Sequence, residues 1–312
     1  YLFVARGRSA RYALVACVQT DDPLYLDAGV ERQYRVQRAL ADADGVVVPA
    51  VVDYEADPAV VGAAFFVMER VTGVVPSSSP HFTRAGWLHD ASPDQREAVW
   101  RSAVEQLVAL HRVDVDRLPF LDRHEAGTTS LDRELEHWRA AYRWAAGREP
   151  FPVVDAAETW LLANTPTDPA LGLSWGDARL ENMVFHDYRC AAVLDFETAS
   201  LAGPASDLAW WALMDKGSDD LRGLGSPQQT IDLYRELAGG GLRDLQYHLV
   251  LCAFRLAVIY IRLAALLRAR NALDASQAGL AHDNDKMRQL AVLMGMATPD
   301  EVSACAPRLP QD

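Results

Sequence analysis

The stretch Leu173-Ser-Trp-Gly-Asp-Ala-Arg-Leu-Glu-Asn-Met-Val-Phe185 is followed, after a short turn, by Ala192-Val-Leu-Asp-Phe-Glu197. Four residues separate Asp177 from Asn182, and apolar residues follow Asn182 and precede Asp195. Two short apolar runs joined by a polar turn favour a β-hairpin. Such a hairpin would return Asp195 to the neighbourhood of Asn182, so that three polar side chains converge at one end of it.

The spacing of Asp177 and Asn182 is that of a kinase catalytic loop, in which the Asp accepts the substrate hydroxyl proton and the Asn binds metal. Asn182 and Asp195 would offer an amide oxygen and a carboxylate, the kind of oxygen ligands that Mg²⁺ prefers. The metal would neutralise charge on a transferring phosphoryl group. The alternative is a hairpin with incidental acids, because Asp and Asn are common turn residues. The combination of loop, hairpin and second Asp favours the catalytic interpretation.

Composition and charge limit the class of protein. The chain has 312 residues, half of them hydrophobic, which suggests about two domains or lobes with a large core. Its net charge of −13 argues against nucleic acid as a partner, because the negatively charged phosphate backbone binds positively charged protein surfaces. An acidic surface suits a cationic small substrate, and it equally suits an ordinary soluble protein.

The cysteines and the most apolar segment indicate where in the cell the protein is located. The four cysteines are scattered, without a CxxC pair, and predict reduced thiols in a cytoplasm: Cys17, Cys190, Cys252 and Cys305. No signal peptide is visible. The apolar stretch Leu249–Leu267 contains Arg255 and Arg262, which would be costly inside a membrane. They are seven residues apart on one helical face, which favours a buried helix and no membrane partner.

Hydrophobic periodicity divides the chain into two parts. Four runs in the first part are predicted strands: Tyr1–Val4, Tyr12–Val18, Val46–Asp53 and Phe65–Val71. Val30–Asp42 has helical periodicity, with Gly29 as a weak N-cap. The segment Thr72–Pro80 is rich in Gly, Ser and Pro and is a predicted linker. After it, helices predominate: Pro93–His111, Leu131–Ala146, Val153–Ala163, Ser206–Asp215, Pro227–Ala238, Leu242–Ala269 and Ala275–Met296.

This order predicts an α+β protein of two lobes, as in bilobal kinases. The small β-rich lobe, which binds nucleotide and includes a hinge, is residues 1–72, and the large helical lobe is residues 73–312. The chain begins at Tyr1 in a predicted strand, and no Gly-rich phosphate loop is visible. We therefore expect an N-terminal piece of the small lobe to be missing.

The segments 175–182 (Trp-Gly-Asp-Ala-Arg-Leu-Glu-Asn) and 193–210 (Val-Leu-Asp-Phe-Glu-Thr-Ala-Ser-Leu-Ala-Gly-Pro-Ala-Ser-Asp-Leu-Ala-Trp) resemble the aminoglycoside phosphotransferase family. They are most similar to the branch that includes mycobacterial members and the kinase-like domains fused to some acyl-CoA dehydrogenases. The resemblance covers most of the chain. It implies a bilobal protein-kinase-like fold and a small-molecule kinase that moves the γ-phosphate of ATP or GTP, with Mg²⁺, to a hydroxyl.

The resemblance also implies roles for individual residues. By it, Asp177 is the general base, Asn182 and Asp195 bind Mg²⁺, and Asp207 holds the catalytic loop from a helix start. An alternative for Asp207 is an ordinary first-turn acid behind a Ser206 cap. The segment 65–73 resembles the family's hinge strand, whose backbone faces the adenine, and 107–111 resembles the helix after the hinge. The hinge residues implied to contact nucleotide are Met68, Glu69 and Val71.

This sequence departs from the family pattern at three positions. Trp175 stands where the family has a His two residues before the base; that His has a structural role, so the Trp need not abolish activity. Cys17 stands where a Lys or Arg would contact the nucleotide phosphates, and Gln33, with Glu31 nearby, stands where its Glu partner would be. The hairpin before Cys17 contains alternative cations: Arg6, Arg8 and Arg11.

Two questions stay open at this level. A catalytically weak pseudokinase that binds nucleotide or a metabolite is the rival to an active enzyme, because the cation–Glu pair is replaced. The acceptor is also open among an aminoglycoside, a macrolide, a hydroxy-acyl thioester and other alcohols, because fold does not fix substrate. Oligomeric state is not indicated by the sequence. Acids predicted for the acceptor side are Asp215, Asp219, Asp220, Glu236, Asp283 and Asp285.

Overall fold

An antiparallel sheet forms the first part of the chain in the computed structural model. The structure describes residues 1–6, 10–27, 29–122, 127–217, 220–273, 277 and 279–297. Within them the sheet has the order β1-β2-β4-β3, and its strands are β1 (Leu2–Arg6), β2 (Arg11–Val18), β3 (Val51–Glu55) and β4 (Phe65–Glu69). Helix α1 (Val30–Leu40) packs on β3 and β4.

Helices make up most of the second part. In the described ranges they are α2 (Trp87–Asp90), α3 (Pro93–His111), α4 (Ser130–Ala146), α5 (Pro152–Ala163), α6 (Pro204–Met214), α7 (Pro227–Ala238), α8 (Leu245–Ala269) and α9 (Asp285–Leu293). Between α5 and α6 lies a hairpin of β5 (Met183–His186) and β6 (Arg189–Val193). The predicted α+β class, with a small β-rich lobe and a large helical lobe, is therefore confirmed.

Local sequence explains most helix starts. Ser92 and Gln95 form a capping box at the start of α3, and Ser226 and Gln229 form another at α7. Each box satisfies two N–H groups that a helix start leaves without partners. Gly29 is the N-cap of α1, without a side-chain cap bond, as predicted.

Two predicted elements differ clearly from the observed ones. β3 begins at Val51 and not at Val46, because the chain before it runs along the large lobe: the N–H of Val193 donates to the carbonyl of Val47. The predicted helix Ala275–Met296 is wrong over its first half, since turns occupy 279–284 and Asn284 caps a helix that starts at Asp285. The Asn284 side chain accepts from two backbone N–H groups, which fixes this start.

The small lobe is joined to the large lobe beside the β5–β6 hairpin. Val74, just after the hinge, exchanges two backbone hydrogen bonds of 2.8 Å with Phe185. Gly73 permits this contact at φ 152°, because a Cβ there would lie 2.5 Å from the Phe185 carbonyl oxygen. The hinge therefore lies directly against the strand that follows Asn182. The exact boundary at residue 72 stays a prediction.

Helix α8 is the core helix of the large lobe. By length and composition it is the one described helix that could cross a membrane, and most of it is buried inside the fold. Arg255 in its middle is fully buried, and Arg262 donates to the Pro23 carbonyl of the small lobe. The predicted buried helix with a polar stripe is confirmed.

Candidate active site

Asp177 is held by three neighbours on a buried loop. Its Oδ1 accepts a 2.7 Å hydrogen bond from the indole N–H of Trp210 on α6. Its Oδ2 accepts from Asn182 Nδ2 at 2.7 Å and from Arg179 Nε at 3.1 Å. The carboxylate of Asp177 is buried and yet borders the cleft through Arg179, whose side chain is 28% exposed. The sequence pattern did not indicate the Trp210 contact.

The hairpin brings Asn182 and Asp195 together, as the sequence predicted. Met183 pairs with Val193, and the N–H of Leu194 donates to the Asn182 carbonyl at 2.9 Å. Asn182 Nδ2 also donates to the main-chain carbonyl of Asp177 at 3.1 Å. Because the amide nitrogen faces Asp177, the amide oxygen lies on the opposite side and is available to a cation.

Asp195 has a strained backbone that Trp175 supports. Its φ is +60°, a left-handed conformation that costs a non-glycine residue about 1–2 kcal/mol. The indole N–H of Trp175 donates to the carbonyls of Leu194 and Asp195, at 2.8 and 2.9 Å. Trp175 is fully buried, so these bonds hold the turn firmly. The Trp in place of a His therefore has a structural contact of its own with Asp195.

Asp207 ties the catalytic loop to the first turn of α6. Its Oδ1 accepts from Ser174 Oγ and from the Gly176 N–H, at 2.9 and 2.8 Å. Its Oδ2 accepts from the Trp175 N–H at 2.6 Å and lies 2.8 Å from Nε2 of His111. The holding contacts predicted for Asp207 are thus present, and they include the His111 that ends α3.

The predicted Ser206 cap is wrong. The N-cap of α6 is Gly203 and the helix starts at Pro204, because this Pro suits a position where no N–H partner is needed. Ser206 lies inside the helix and accepts instead from the Arg255 guanidinium at 3.3 Å.

Arg255 supports the same loop from α8. Its Nη2 donates to the Gly176 carbonyl at 3.0 Å. Its guanidinium lies 4.9 Å from the ring centre of Trp138 and 4.7 Å from that of Trp210. The Trp that binds Asp177 is thus packed on a buried cation. Gly176 is required, because a Cβ would lie 2.3 Å from the Thr198 carbonyl oxygen.

Negative charge accumulates around this loop. Burial, and then the charge of Asp177, raise the pKa of Asp195. Burial and the charges of Asp195 and Asp177 raise the pKa of Glu197 to about 7. Burial raises the pKa of Tyr25, and the same three carboxylates add to the effect. Such mutual repulsion is what a bound cation would relieve.

The oxygen atoms present fit Mg²⁺. Asn182 offers an amide oxygen and Asp195 a desolvated carboxylate, and Mg²⁺ in phosphoryl-transfer sites uses one or two protein ligands plus phosphates and waters. Among the described residues no group of three or more His, Cys, Asp or Glu could hold a metal. A magnesium ion held by Asn182 and Asp195 would need phosphates and waters as its remaining ligands.

The hinge residues lie at the cleft side of the small lobe. Met68 and Glu69 end β4, and their N–H and C=O groups are partly used: the Glu69 N–H donates to the Ala50 carbonyl at 2.8 Å. Val71 follows in irregular backbone, and no main-chain partner for it is found within the described residues. Val71 therefore has backbone groups that can face a nucleotide base.

Cys17 lies on β2 opposite Phe66 of β4. Burial raises the pKa of its thiol, and the charges of Asp195 and Glu197 act in the same direction, while the N-terminal charge opposes them. On α1 the buried Gln37, and not the half-buried Gln33, contacts the hinge, through Met68 Sδ at 3.3 Å. Cys17 supplies no positive charge, and neither glutamine supplies a carboxylate.

The predicted acceptor-side acids are mostly dispersed. Asp215 lines a cavity of about 30 Å³ beside the catalytic loop, together with Arg179, Glu181 and the rings of Phe82, Trp100 and Trp211. The others, where described, are exposed on helix surfaces or loops: Asp220, Glu236, Asp283 and Asp285. Asp219 and Arg8 lie outside the described residues. The cavity has room for little more than a water molecule.

The geometry defines the class of protein: a two-lobed kinase-like fold with this catalytic loop. The model of the "Phosphotransferase enzyme family" matches residues 2–239, and the chain belongs to that family. Acyl-CoA dehydrogenase family member 11 of Rattus norvegicus is 32% identical over 247 residues, which are 74% of this chain and 30% of the relative. The family resemblance predicted from the sequence is confirmed.

Solved structures share the fold. A protein of Ralstonia eutropha JMP134, described as an aminoglycoside phosphotransferase, has a TM-score of 0.68 at 24% identity. The match covers 95% of this chain and 90% of the chain of that protein. A ternary complex of aminoglycoside phosphotransferase APH(4)-Ia with ADP and hygromycin B has a TM-score of 0.58 at 15% identity, with 96% and 94% covered. The kinase-like fold is thus confirmed. The chain spans about 30% of the length of the acyl-CoA dehydrogenase relatives.

Proposed function

We propose that this protein is a small-molecule kinase that transfers the γ-phosphoryl group of ATP or GTP to an alcohol. The observation that carries the proposal is the convergence of Asp177, Asn182 and Asp195 at the base of the β5–β6 hairpin. Membership in the phosphotransferase family supports it. The ADP and hygromycin B of APH(4)-Ia support a nucleotide donor and a hydroxylated acceptor.

In this proposal Asp177 is the general base. The acceptor hydroxyl gives its proton to Asp177 as its oxygen bonds to the γ-phosphorus, and the bond from that phosphorus to the β–γ bridging oxygen breaks. The nucleoside diphosphate leaves with the electron pair of that bond. Trp210, through the 2.7 Å bond to Oδ1, fixes the plane of the carboxylate. Asn182 and Asp195 would hold Mg²⁺, which neutralises phosphate charge when bound.

The nucleotide is proposed to lie along the hinge. Met68, Glu69 and Val71 would face the base, and the phosphates would point towards Asp195 under β2, where Cys17 lies. The segment joining β2 to α1 packs over the large lobe, with Tyr25 6.4 Å from the Trp138 ring. This segment would close one side of the phosphate region.

The acceptor is proposed to enter beside Arg179, Glu181 and Asp215. Aromatic rings and acids line that side, which suits an alcohol with an apolar or cationic body. An aminoglycoside, another antibiotic such as a macrolide, and a hydroxy-acyl thioester are candidates; the last agrees with the acyl-CoA dehydrogenase relatives. The proposal includes no nucleic-acid or membrane partner and a cytoplasmic location, since the described cysteines Cys17, Cys190 and Cys252 are free thiols.

A pseudokinase is the second candidate, favoured by one observation. Cys17 and Gln33 leave the small lobe without the cation–carboxylate pair of active relatives. The protein would then bind nucleotide or a metabolite and turn over little or none of it.

The deciding experiment measures binding and turnover on the same samples. Wild type, Asp195→Ala and the matched surface variant Asp187→Ala are titrated with ATP and GTP, each with and without Mg²⁺, and then assayed with a panel of alcohols. Asp187 suits the control because its side chain is 93% exposed. We expect Mg²⁺-dependent affinity and turnover in wild type and Asp187→Ala, and loss of both in Asp195→Ala. Binding without turnover for every alcohol favours the pseudokinase. No nucleotide binding by wild type rejects the kinase and leaves only a pseudokinase that binds a metabolite.

A further inference from the structure

The active site has a surplus of negative charge that nucleotide phosphates would increase. Asp177, Asp195 and Glu197 act on one another electrostatically. The small-lobe position expected to balance the phosphates holds Cys17, which carries no positive charge. If phosphates bind there, another cation has to be close to the transferring group.

Two described arginines lie at the turn of the small-lobe hairpin, away from Cys17, and a third, Arg32, contacts the large lobe. Arg6 and Arg11 face each other at the turn end of the β1–β2 hairpin. Arg11 and Cys17 are six positions apart on β2, which is about 20 Å along a strand. Arg32 of α1 donates to the Ala199 carbonyl beyond the hairpin.

Arg179 is the cation that lies at the acids. It is on the catalytic loop between Asp177 and Asn182, with Nε and Nη2 at 3.1 and 3.0 Å from Asp177 Oδ2. Its charge acts on both Asp195 and Tyr25. Burial lowers the pKa of Arg179, but the negative charges of Asp177 and Glu181 have a larger effect and raise that pKa. The guanidinium therefore stays charged.

Arg179 is also partly accessible from solvent. Its side chain is 28% exposed and lines the cavity beside the catalytic loop. A guanidinium has five N–H donors in a planar fork, and it binds phosphate oxygens in pairs. Two donors face Asp177, which leaves the remainder of the fork for a second anion.

We propose that Arg179 is a catalytic residue that binds the transferring γ-phosphoryl group and replaces the missing small-lobe cation. The inference rests on the proposed kinase function. In the ligand-free protein Arg179 is paired with Asp177 Oδ2. When the γ-phosphate arrives, the guanidinium shares its donors with the phosphoryl oxygens, and Asp177 Oδ2 is freed to accept the acceptor proton.

The alternative is that Arg179 only orients Asp177. The two roles differ in nucleotide selectivity, since a residue that orients the base has no contact with the γ-phosphate. A residue that binds it strengthens the affinity for a triphosphate and leaves that for a diphosphate nearly unchanged.

The test is calorimetric binding of ADP and of the non-hydrolysable β,γ-imido analogue of ATP, both with Mg²⁺. The samples are wild type, Arg179→Gln, Arg179→Lys and the surface control Arg189→Gln, whose side chain is 68% exposed. We expect Arg179→Gln to weaken the triphosphate analogue by roughly 10- to 100-fold while ADP affinity changes little. The affinity of Arg179→Lys for the triphosphate analogue should lie between those of wild type and Arg179→Gln. The affinity of Arg189→Gln should equal that of wild type.

Two results would overturn the inference in distinguishable ways. If wild type binds both nucleotides and Arg179→Gln keeps the same ratio of the two affinities, Arg179 does not contact the γ-phosphate, and the kinase proposal survives. If wild type binds neither nucleotide, the kinase proposal fails and the inference falls with it. Thermal melting of each variant checks that the loss is not unfolding.

Discussion

The catalytic loop of the large lobe and the phosphate region of the small lobe differ in how their polar groups are satisfied. Asp207, fully buried, has partners from Ser174, two backbone N–H groups and His111. In the small lobe, Cys17 supplies no charge, and β1 exposes apolar side chains, with Leu2 67% and Val4 60% exposed. One region is fixed by buried hydrogen bonds before any ligand arrives, and the described part of the other has an uncharged Cys17 at the expected cation position.

The contrast locates the proposed catalytic groups mainly in the large lobe. The large lobe holds the proposed base Asp177, the proposed metal ligands and the cation Arg179. A preorganised loop contributes most when its polar groups are already aimed at the reacting atoms. We therefore expect variants of the loop to have large effects and variants at the Cys17 position to have small ones.

The largest expected effect is on turnover, from Asp177→Asn. The change keeps size and shape but removes the basic oxygen, and general-base help is worth about 10² to 10⁴ in rate. We expect turnover to fall by roughly two orders of magnitude or more, with Mg²⁺-nucleotide affinity little changed. Steady-state kinetics and calorimetry on one preparation separate this from misfolding. Turnover equal to that of wild type would show that Asp177 is not the base.

Asp207→Ala should cost the most stability. It removes a buried acceptor of several hydrogen bonds and leaves the Trp175 and Gly176 N–H groups without partners. Breaking such a buried polar group costs about 3–5 kcal/mol. Urea unfolding followed by tryptophan fluorescence measures the free energy of unfolding, and Asp53→Ala on β3 is the small-lobe control, expected to cost under about 1 kcal/mol. Equal losses in the two variants would contradict the contrast between the lobes.

His248 makes the large lobe acid-sensitive. Burial, and then the charge of Arg255, lower the pKa of His248 to about 4, while Asp207 and Glu134 act the other way. The folded state therefore keeps the imidazole neutral, and the unfolded state takes up a proton as pH falls below about 6.5. The stability contribution is present above the unfolded pKa and is lost as pH falls towards 4.

The variant His248→Gln should remove this pH dependence. We expect wild type to lose about 3 kcal/mol more than the variant between pH 7 and pH 4. Unfolding free energies measured at several pH values for both proteins provide the comparison. Parallel pH curves for the two proteins would show that another group titrates.

The smallest expected effect comes from restoring the small-lobe pair with Cys17→Lys and Gln33→Glu. A buried Lys without a carboxylate is costly, so the double variant is the fair test. The charges of Asp195 and Glu197 act on Cys17, so a Lys at this position would be attracted by them. We expect nucleotide affinity to stay equal or to rise by a few-fold. Marked loss of affinity, with the melting temperature unchanged, would show that Cys17 does not occupy the cation position.

Much of the fold follows from local sequence. α3 and α7 have the predicted bounds, because Ser caps and Pro at the first position mark their starts. The β5–β6 hairpin was predicted from two apolar runs and a turn. The helix predicted from Ala275 failed, because apolar periodicity does not reveal that a cap at Asn284 starts the helix later.

The family, the α+β class and the three polar residues Asp177, Asn182 and Asp195 could be predicted from the amino-acid sequence, because the spacing of these residues is short and local. The contacts that hold the three residues became visible in the folded chain. Trp175 supports the Asp195 turn, Trp210 binds Asp177 and Arg255 binds the loop, each from a distant part of the chain or across a turn. Such contacts depend on how α4, α6 and α8 pack together. Packing brings together residues that no local pattern relates, so a sequence read segment by segment does not reveal them.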